Sequence, residues 1–430
     1  MRPEAEAQAQ DRPPELRRAL GLADAVGIGF GAIVGAGIFV VTGIAAGVAG
    51  PALLLALPLA GVAAAANALS SAELAASYPR AGGTYEYGWR VLHPWAGFAA
   101  GWMFLASKTA AAGTVGLGIA AYLARLAPGV PRRAVALAAI LLFTAVNALG
   151  VRRSSAVNLG IVAVSTVSLV LFAAVGLARF DAAHLRPFAP AGPRGVLQAA
   201  ALLFFAYTGY ARVATLGEEV REPRATIPRA ILVTVAGVSV LYLAVALAAV
   251  GGAGAGPLTR TAAPLADAAR AMGAGWLETV VSAGAVCAML GVLLSQLLGL
   301  SRMVFAMARR GDLPGALARV DARSGAPVRA TLLVGAAAAL AAGLGTLRGI
   351  AAAASFAILL YYAIANLSAL RMPREAKLYP DAVPAVGLAA CALLAASLSP
   401  RTALTGLAVL AAGFVVRLAV RSLDRSGGGG

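Results

Sequence analysis

The stretch Gly27-Ile-Gly-Phe-Gly31-Ala-Ile-Val-Gly35-Ala-Gly37-Ile-Phe39 decides how this chain folds. It lies within residues 25–72, which carry no charged side chain and are long enough for two membrane-crossing helices of about 20 residues each. A glycine costs a helix interior about 1 kcal/mol relative to alanine, and close packing between helices is the ordinary reason to keep it there. Gly35 and Gly37 lie on different faces of a helix, so their spacing favours an unwound break over a packing stripe.

The composition of the whole chain indicates an integral membrane protein. Hydrophobic residues make up 60% of its 430 residues and charged residues 12%, whereas soluble domains average about 45–50% and about 25%. The apolar runs are continuous rather than alternating, which excludes a β-barrel, so we expect an all-α bundle with twelve transmembrane helices. The twelve apolar stretches are 22–46, 51–77, 94–124, 133–150, 154–178, 195–217, 228–251, 275–306, 329–346, 349–370, 382–399 and 402–420.

The positive charge of the chain marks membrane topology rather than nucleic-acid binding. The formal net charge is +17, but most arginines lie in short gaps between apolar stretches and form no basic face with interleaved aromatic residues. With the N-terminus inside, the inner segments carry 23 Lys and Arg and the outer segments 10. The positive-inside rule therefore predicts cytoplasmic termini for a multi-pass protein of a bacterial plasma (inner) membrane, with no nucleic-acid partner.

Cysteine and histidine are too few for a metal cluster or a disulfide framework. Cys287 and Cys391 both lie in apolar stretches, and His93 and His184 are the only histidines. The sequence therefore predicts no metal site, no cofactor and no set of catalytic residues.

The sixth apolar stretch repeats the signature of the first. It reads Leu203-Phe-Phe-Ala-Tyr207-Thr-Gly209-Tyr-Ala-Arg212, with a glycine between aromatic residues and an arginine within the span. Interrupted helices at corresponding places in two halves indicate a substrate site near the membrane midplane. Because each half has five helices, an odd number, the second half must be inverted. The expected divisions are a cytoplasmic tail 1–20, a first repeat 21–179, a second repeat 195–372, two further helices in 380–421 and a flexible tail 422–430.

Two breaks of this kind suit a zwitterion. Unwinding exposes backbone N–H groups at the start of one half-helix, where the helix dipole favours a carboxylate. Carbonyl groups at the end of the other half-helix can accept hydrogen bonds from an ammonium group. The pair can therefore bind an amino acid without any charged side chain.

Four passages of the sequence occur together in a recognisable order and spacing. They are Gly29-Phe-Gly-Ala-Ile-Val-Gly-Ala-Gly-Ile-Phe39; Ala72-Glu-Leu-Ala-Ala-Ser-Tyr-Pro-Arg-Ala-Gly-Gly-Thr-Tyr85; Phe205-Ala-Tyr-Thr-Gly-Tyr210 through Gly217-Glu-Glu-Val-Arg-Glu-Pro223 to Ile227-Pro-Arg229; and Ser301-Arg-Met-Val-Phe-Ala-Met-Ala-Arg-Arg-Gly-Asp-Leu-Pro314. With them the chain resembles the amino acid–polyamine–organocation superfamily of permeases, over about residues 20–372. This likeness implies an all-α fold of the leucine-transporter type, with a five-plus-five inverted repeat whose first and sixth helices are discontinuous, and two added C-terminal helices.

The resemblance also implies the residues of the substrate site. Amides around Gly35, at Ala36 and Gly37, should bind the substrate carboxylate. The carbonyls of Ile33, Phe205 and Thr208 should receive the α-ammonium group. Ala206, Tyr207, Gly209 and Ala211 complete the predicted site. Ala211 stands where cationic amino acid exchangers of the superfamily carry an acid, so its presence argues against a cationic substrate.

The sequence leaves the coupling ion open, with a proton favoured over sodium. The eighth span has no adjacent pair of hydroxyl residues for sodium. The resemblance aligns Ser165 with a lysine that stands in for sodium in proton-coupled members, and serine there departs from that pattern. Lys108 lies near the middle of the third span, so we expect it to exchange a proton or to act as a fixed cation. The alternative interpretation is that the Lys108 side chain extends to the membrane interface. Arg212 could contact the substrate chamber, pair with Glu218 or point into the bundle.

Three residues are predicted to gate the pathway. Glu73 and Glu218 belong to a cytoplasmic charge network, for which plain solvation at the interface is the alternative, and Tyr361 is expected at an outer gate.

The function predicted from the sequence is secondary transport of neutral, apolar L-amino acids by alternating access, by proton symport or exchange, as a monomer or homodimer in the lipid bilayer. An exporter of the same fold remains an alternative. A membrane-embedded transferase or a channel is less well supported, because no acidic metal-binding cluster and no matched polar rings are visible.

Overall fold

The computed structural model describes residues 20–78, 82–150, 155–214, 220–259, 261–321 and 323–427. These residues form helices joined by short connections, and among them the only β-type pairing is an isolated bridge between Leu20 and Val220. The first half consists of α1 (Leu22–Ile33), α2 (Thr42–Ala49), α3 (Leu53–Ser77), α4 (Thr84–Tyr87), α5 (Pro94–Leu126), α6 (Arg132–Ala148) and α7 (Ser155–Ala178).

The second half has the same all-helical character. It consists of α8 (Gly192–Tyr207), α9 (Ala211–Ala214), α10 (Pro223–Ala253), α11 (Ala255–Thr259), α12 (Pro264–Ala271), α13 (Gly275–Arg309), α14 (Val328–Leu344), α15 (Leu347–Leu370), α16 (Ala382–Ser397) and α17 (Pro400–Gly427). The long helix α5 packs extensively against both α13 and α15.

The helices are those of an integral membrane protein. Among the described residues, seven helical stretches are long and apolar enough to cross a bilayer. One of them, Leu22–Ser77, has 56 residues and includes α1, α2 and α3. That is enough for two crossings of about 20 residues. The shorter helices α14 and α16 are also apolar. A membrane-spanning helical protein, as the composition predicts, is confirmed.

The first crossing is interrupted where the glycine pattern predicts. Helix α1 ends at Ile33, and Val34 takes an extended conformation with ψ of 107°. The chain bends at Gly35 and becomes helical again in a π-helical turn, Gly37–Val41, that leads into α2. Phe39 N–H donates to the Gly35 carbonyl at 3.3 Å, so the amides of Ala36 and Gly37 precede the first hydrogen bond of the new helix.

The sixth apolar stretch is also irregular at its glycine. Helix α8 ends at Tyr207, a 3-10 turn covers Thr208–Tyr210, and α9 follows at once. The interruption is therefore a local tightening and not a separation of the two half-helices.

Glycine allows the two interruptions to touch. A Cβ atom on Gly37 would lie 2.3 Å from Ala206 Cα, and one on Gly209 would lie 2.1 Å from the Ala32 carbonyl oxygen. Any side chain at either position would push the two crossings apart. The breaks thus form one structural unit at the centre of the bundle.

Candidate functional site

A cavity of about 40 Å³ lies between the two breaks. At about 10–15 Å³ per water it holds about three water molecules, so it is smaller than an amino acid. Its walls come from α1 and its break, α5, the end of α8 and α13. The lining residues are Ala32, Ile33, Gly35, Ala36, Gly37, Lys108, Val115, Phe205, Ala206, Thr208, Gly209, Val292 and Gln296.

Most of the predicted substrate-binding residues line this cavity, but two do not. Tyr207 is buried behind the break, where its ring packs against the Tyr242 ring at an interplanar angle of 57°, with centroids 5.5 Å apart. Ala211 lies beyond the 3-10 turn, half-buried, at the start of α9. Tyr207 follows Phe205 by two residues in α8, so about 200° of helical rotation separates their side chains.

The backbone carbonyls of the site are held by side chains that sequence reasoning did not identify. Tyr242 on α10 donates a hydrogen bond to the Ile33 carbonyl at 3.0 Å, and its hydroxyl lies 3.4 Å from the Ala206 carbonyl. Thr208 Oγ1 donates to the Phe205 carbonyl at 3.0 Å. A carbonyl oxygen has two lone pairs, so each can accept a further bond from a ligand. Tyr242 thereby fixes the two breaks relative to each other.

Lys108 is the one ionisable side chain among the residues that line the cavity. Its Nζ lies 3.1 Å from Thr208 Oγ1 and 3.5 Å from the Thr208 carbonyl oxygen. Its own carbonyl accepts a hydrogen bond from the Gln296 side chain of α13. The ammonium group therefore points inward to the second break and not along α5 to the membrane interface. It lies beside the carbonyl that was expected to receive the substrate ammonium.

Ser165 does not reach the cavity. Its hydroxyl donates within α7, to the carbonyls of Ile161 at 2.8 Å and Val162 at 3.0 Å. Of the two residues predicted for coupling, Lys108 lines the cavity and Ser165 does not.

Glu73 ties the end of α3 to the connection between α15 and α16. Its buried carboxylate accepts hydrogen bonds from the backbone N–H groups of Leu378 at 2.7 Å and Tyr379 at 3.0 Å. Burial, followed by the nearby Glu73 charge, raises the pKa of the Tyr379 hydroxyl. The predicted pairing of Glu73 with Glu218 in one network cannot be followed, because Glu218 and the side chain of Arg212 lie outside the described residues.

Tyr361 lies at the end of the bundle where α3 ends. Its hydroxyl accepts a hydrogen bond from Thr84 N–H at 3.4 Å, and its ring contacts Phe104 with centroids 5.3 Å apart. Tyr361 lies past the midpoint of α15, in the half that leads to Leu370. Its role at an outer gate stays a prediction.

A buried charge cluster at this same end was missed from the sequence. Asp312 accepts hydrogen bonds from Tyr85 Oη at 2.8 Å, from Arg417 Nε at 2.8 Å and from Arg421 at 3.1 Å. Burial, followed by the Asp312 charge, raises the pKa of Tyr85. The Arg417 guanidinium also lies 4.5 Å from the centre of the Trp95 ring. The cluster joins α17 to α4 and to the connection after α13.

The opposite end is closed by contacts around Tyr122 on α5. Its hydroxyl donates to the Phe39 carbonyl at 2.5 Å and accepts from Leu265 N–H of α12 at 3.3 Å. Arg125, one turn further along α5, pairs with Asp267 of α12 at 2.7 Å. The helix pair α11–α12 is therefore fastened over the second half of the first crossing.

Comparisons with known proteins identify the family of the chain. The amino acid permease family profile matches residues 24–425. An uncharacterized transporter of Mycobacterium tuberculosis is 46% identical, with 94% of this chain and 91% of that protein covered. A methylthioribose transporter of Bacillus subtilis is 35% identical, with 79% and 78% covered. A branched-chain amino acid permease of the same species is 32% identical, with 76% and 74% covered.

Proposed function

Because the chain belongs to the amino acid permease family, within the amino acid–polyamine–organocation superfamily, we propose that it carries neutral, apolar L-amino acids across the plasma membrane by alternating access. It is a transporter and not an enzyme. The observation that supports the proposal is the cavity between two touching helix breaks. Residues of both breaks line it, and in the proposal the amides of Ala36 and Gly37 bind the cargo carboxylate and the carbonyls of Ile33, Phe205 and Thr208 its ammonium group.

The lining of the cavity supports a neutral, apolar cargo. No aspartate or glutamate is among the residues that line it, so a cationic side chain would find no counter-charge there. Val115, Phe205 and Val292 supply apolar contacts for a side chain. The likeness to a protein named a branched-chain amino acid permease points in the same direction.

The proposed architecture has twelve crossings with both termini in the cytoplasm. In this arrangement α1 to α7 form the first repeat, predicted at residues 21–179, and α8 to α15 form the inverted second repeat, predicted at residues 195–372, with α8 beginning three residues earlier at Gly192. Helices α16 and α17 are the two added crossings. The support is that interrupted helices occupy the first place in each half.

We propose that Lys108 couples cargo binding to a proton. Its ammonium occupies the Thr208 carbonyl that the cargo ammonium would also use. Two such positive charges about 4 Å apart repel by about 4 kcal/mol at an effective dielectric constant of about 20. Release of the Lys108 proton removes this repulsion, so cargo binding and proton release are linked. A lysine that stays charged and swings away, as a fixed cation, is the alternative.

The proposed gate at the end of the bundle where α3 ends includes Glu73 and Tyr361, with Glu218 and Arg212 as further candidates. Glu73 holds the connection between α15 and α16, and Tyr361 holds the start of α4. Opening of that end would have to break both contacts. Ser165 has its hydroxyl occupied within α7, which supports a packing role.

Cargo binding can be tested on the purified protein with a thermal-shift screen of the twenty amino acids, with and without sodium. Apolar L-amino acids should raise the melting temperature, and sodium should not change the result. Uptake of the best amino acid into proteoliposomes, with and without an inward proton gradient, then tests the coupling. Stabilisation by arginine or lysine alone would contradict the proposed cargo.

A cargo that lacks an α-ammonium group is the second candidate. The supporting observation is that the Lys108 ammonium already fills the position beside the Thr208 carbonyl. A relative that is 35% identical is named for methylthioribose, which is not an amino acid. Adding methylthioribose and simple carboxylates to the screen separates the two candidates.

A further inference from the structure

A second cavity, of about 370 Å³, lies at the end of the bundle where α8, α15 and α17 begin. Its volume falls within the range of about 300–1,000 Å³ that is typical of small-molecule sites. It shares no lining residue with the cavity between the breaks. Its lining residues are Gln198, Leu202, Thr346, Arg348, Gly349, Ala352, Leu398, Ser399, Arg401 and Thr402.

The fold brings two isolated positive charges together in this cavity. Arg348 is the only charged residue between α14 and the middle of α15, and Arg401 is the only one from α16 to the second half of α17. No acidic side chain lines the cavity, and neither guanidinium forms an ion pair with the described residues. The cavity therefore carries two uncompensated positive charges.

The two arginines are held by capped helix starts. Thr346 Oγ1 accepts a hydrogen bond from Gly349 N–H at 3.2 Å, and Ser399 Oγ accepts one from Thr402 N–H at 3.2 Å. These caps fix the first turns of α15 and α17, from which Arg348 and Arg401 project. The hydroxyl groups and Gln198 add further hydrogen-bonding groups around the same space.

We propose that this cavity binds a phosphate group, supplied by the head group of an anionic membrane phospholipid. Two guanidinium groups match the oxygens of a phosphate with paired N–H donors. Leu202, Ala352 and Leu398 provide an apolar side for the glycerol portion. Further along α17, Leu404 and Leu407 are 66% and 51% exposed, which places an apolar surface beside the cavity for the acyl chains. The site is independent of the transport cavity and of the proposed cargo.

The test uses the full-length protein in detergent and native mass spectrometry after addition of phosphatidylglycerol. Arg348→Gln with Arg401→Gln removes both charges, and Arg319→Gln with Arg323→Gln is the matched control. The control pair is exposed and lies in the connection after α13, away from the cavity. We expect the first double variant to lose bound phosphatidylglycerol by at least about tenfold, and the control to retain it.

Inorganic phosphate forms a separate arm, with the melting temperature as the readout. One outcome is that inorganic phosphate stabilises the wild type but not Arg348→Gln with Arg401→Gln, while phosphatidylglycerol gives no gain. That outcome would assign the phosphate site to a free anion. Equal retention of phosphatidylglycerol by both double variants, with no effect of inorganic phosphate, would overturn the proposal. Melting of each variant without ligand shows that the protein is folded.

Discussion

The close contact between the two breaks allows the loss of stability caused by Gly209→Ala to be worked out. A Cβ atom there would lie 2.1 Å from the Ala32 carbonyl oxygen and 2.3 Å from the Ala32 carbonyl carbon. Ordinary contacts of this type are about 3.4 Å or longer, so the two crossings would have to separate by about 1 Å. Overpacking of this kind costs about 1–3 kcal/mol. The obstacle is backbone, which has no alternative rotamer to adopt.

The matched control is Gly27→Ala, in the same crossing as Ala32. No atom lies within 4 Å of a Cβ at Gly27, so alanine there should stabilise α1 by up to about 1 kcal/mol. Melting of both variants in detergent should therefore place Gly209→Ala below the wild type and Gly27→Ala at or above it. Uptake into proteoliposomes should fall only for Gly209→Ala. Equal melting temperatures and equal uptake for the two variants would refute the close contact between the breaks.

Three further variants test other parts of the structure. Lys108→Met should abolish the dependence of uptake on the proton gradient, and an unchanged rate and pH profile would exclude its coupling role. Glu73→Ala should increase the rate of hydrogen exchange at the Leu378 amide. Glu73→Gln keeps an acceptor, so it should increase that rate less. Equal exchange rates in the wild type and Glu73→Ala would contradict this contact. Arg417→Met leaves the buried Asp312 charge less compensated, so it should lower the free energy of unfolding by about 3 kcal/mol in a denaturant or thermal melt. An unchanged melt would contradict the cluster.

The sequence indicates the local features of this protein well. Charge-free runs predict membrane helices, and glycines on different faces predict the break at Gly35, because both depend on residues close together in the chain. The partners of Lys108 and Asp312 could not be predicted in this way. Lys108 meets Thr208 across 100 residues, and Asp312 meets Arg417 across 105. Such pairs are set by how the helices pack, and a single sequence does not record that packing.

Tyr242 shows the same limit at the site itself. It is a buried aromatic residue in an apolar helix, and nothing near it in the chain suggests a functional role. Only the crossing of α10 behind both breaks places its hydroxyl against the Ile33 carbonyl. Tyr361 is similar, because its contacts with Thr84 and Phe104 also come from segments distant in the chain.

The measurement that bears most directly on the carrier function is binding of L-leucine to the purified protein, compared with two analogues of the same side chain. Isoamylamine lacks the carboxylate that the amides of Ala36 and Gly37 should bind, and 4-methylpentanoate lacks the ammonium that the Thr208 carbonyl should receive. Isothermal titration calorimetry should show L-leucine binding at least about tenfold more tightly than either analogue. Equal or tighter binding of either analogue would contradict a site in which the two helix breaks hold both ends of an amino acid.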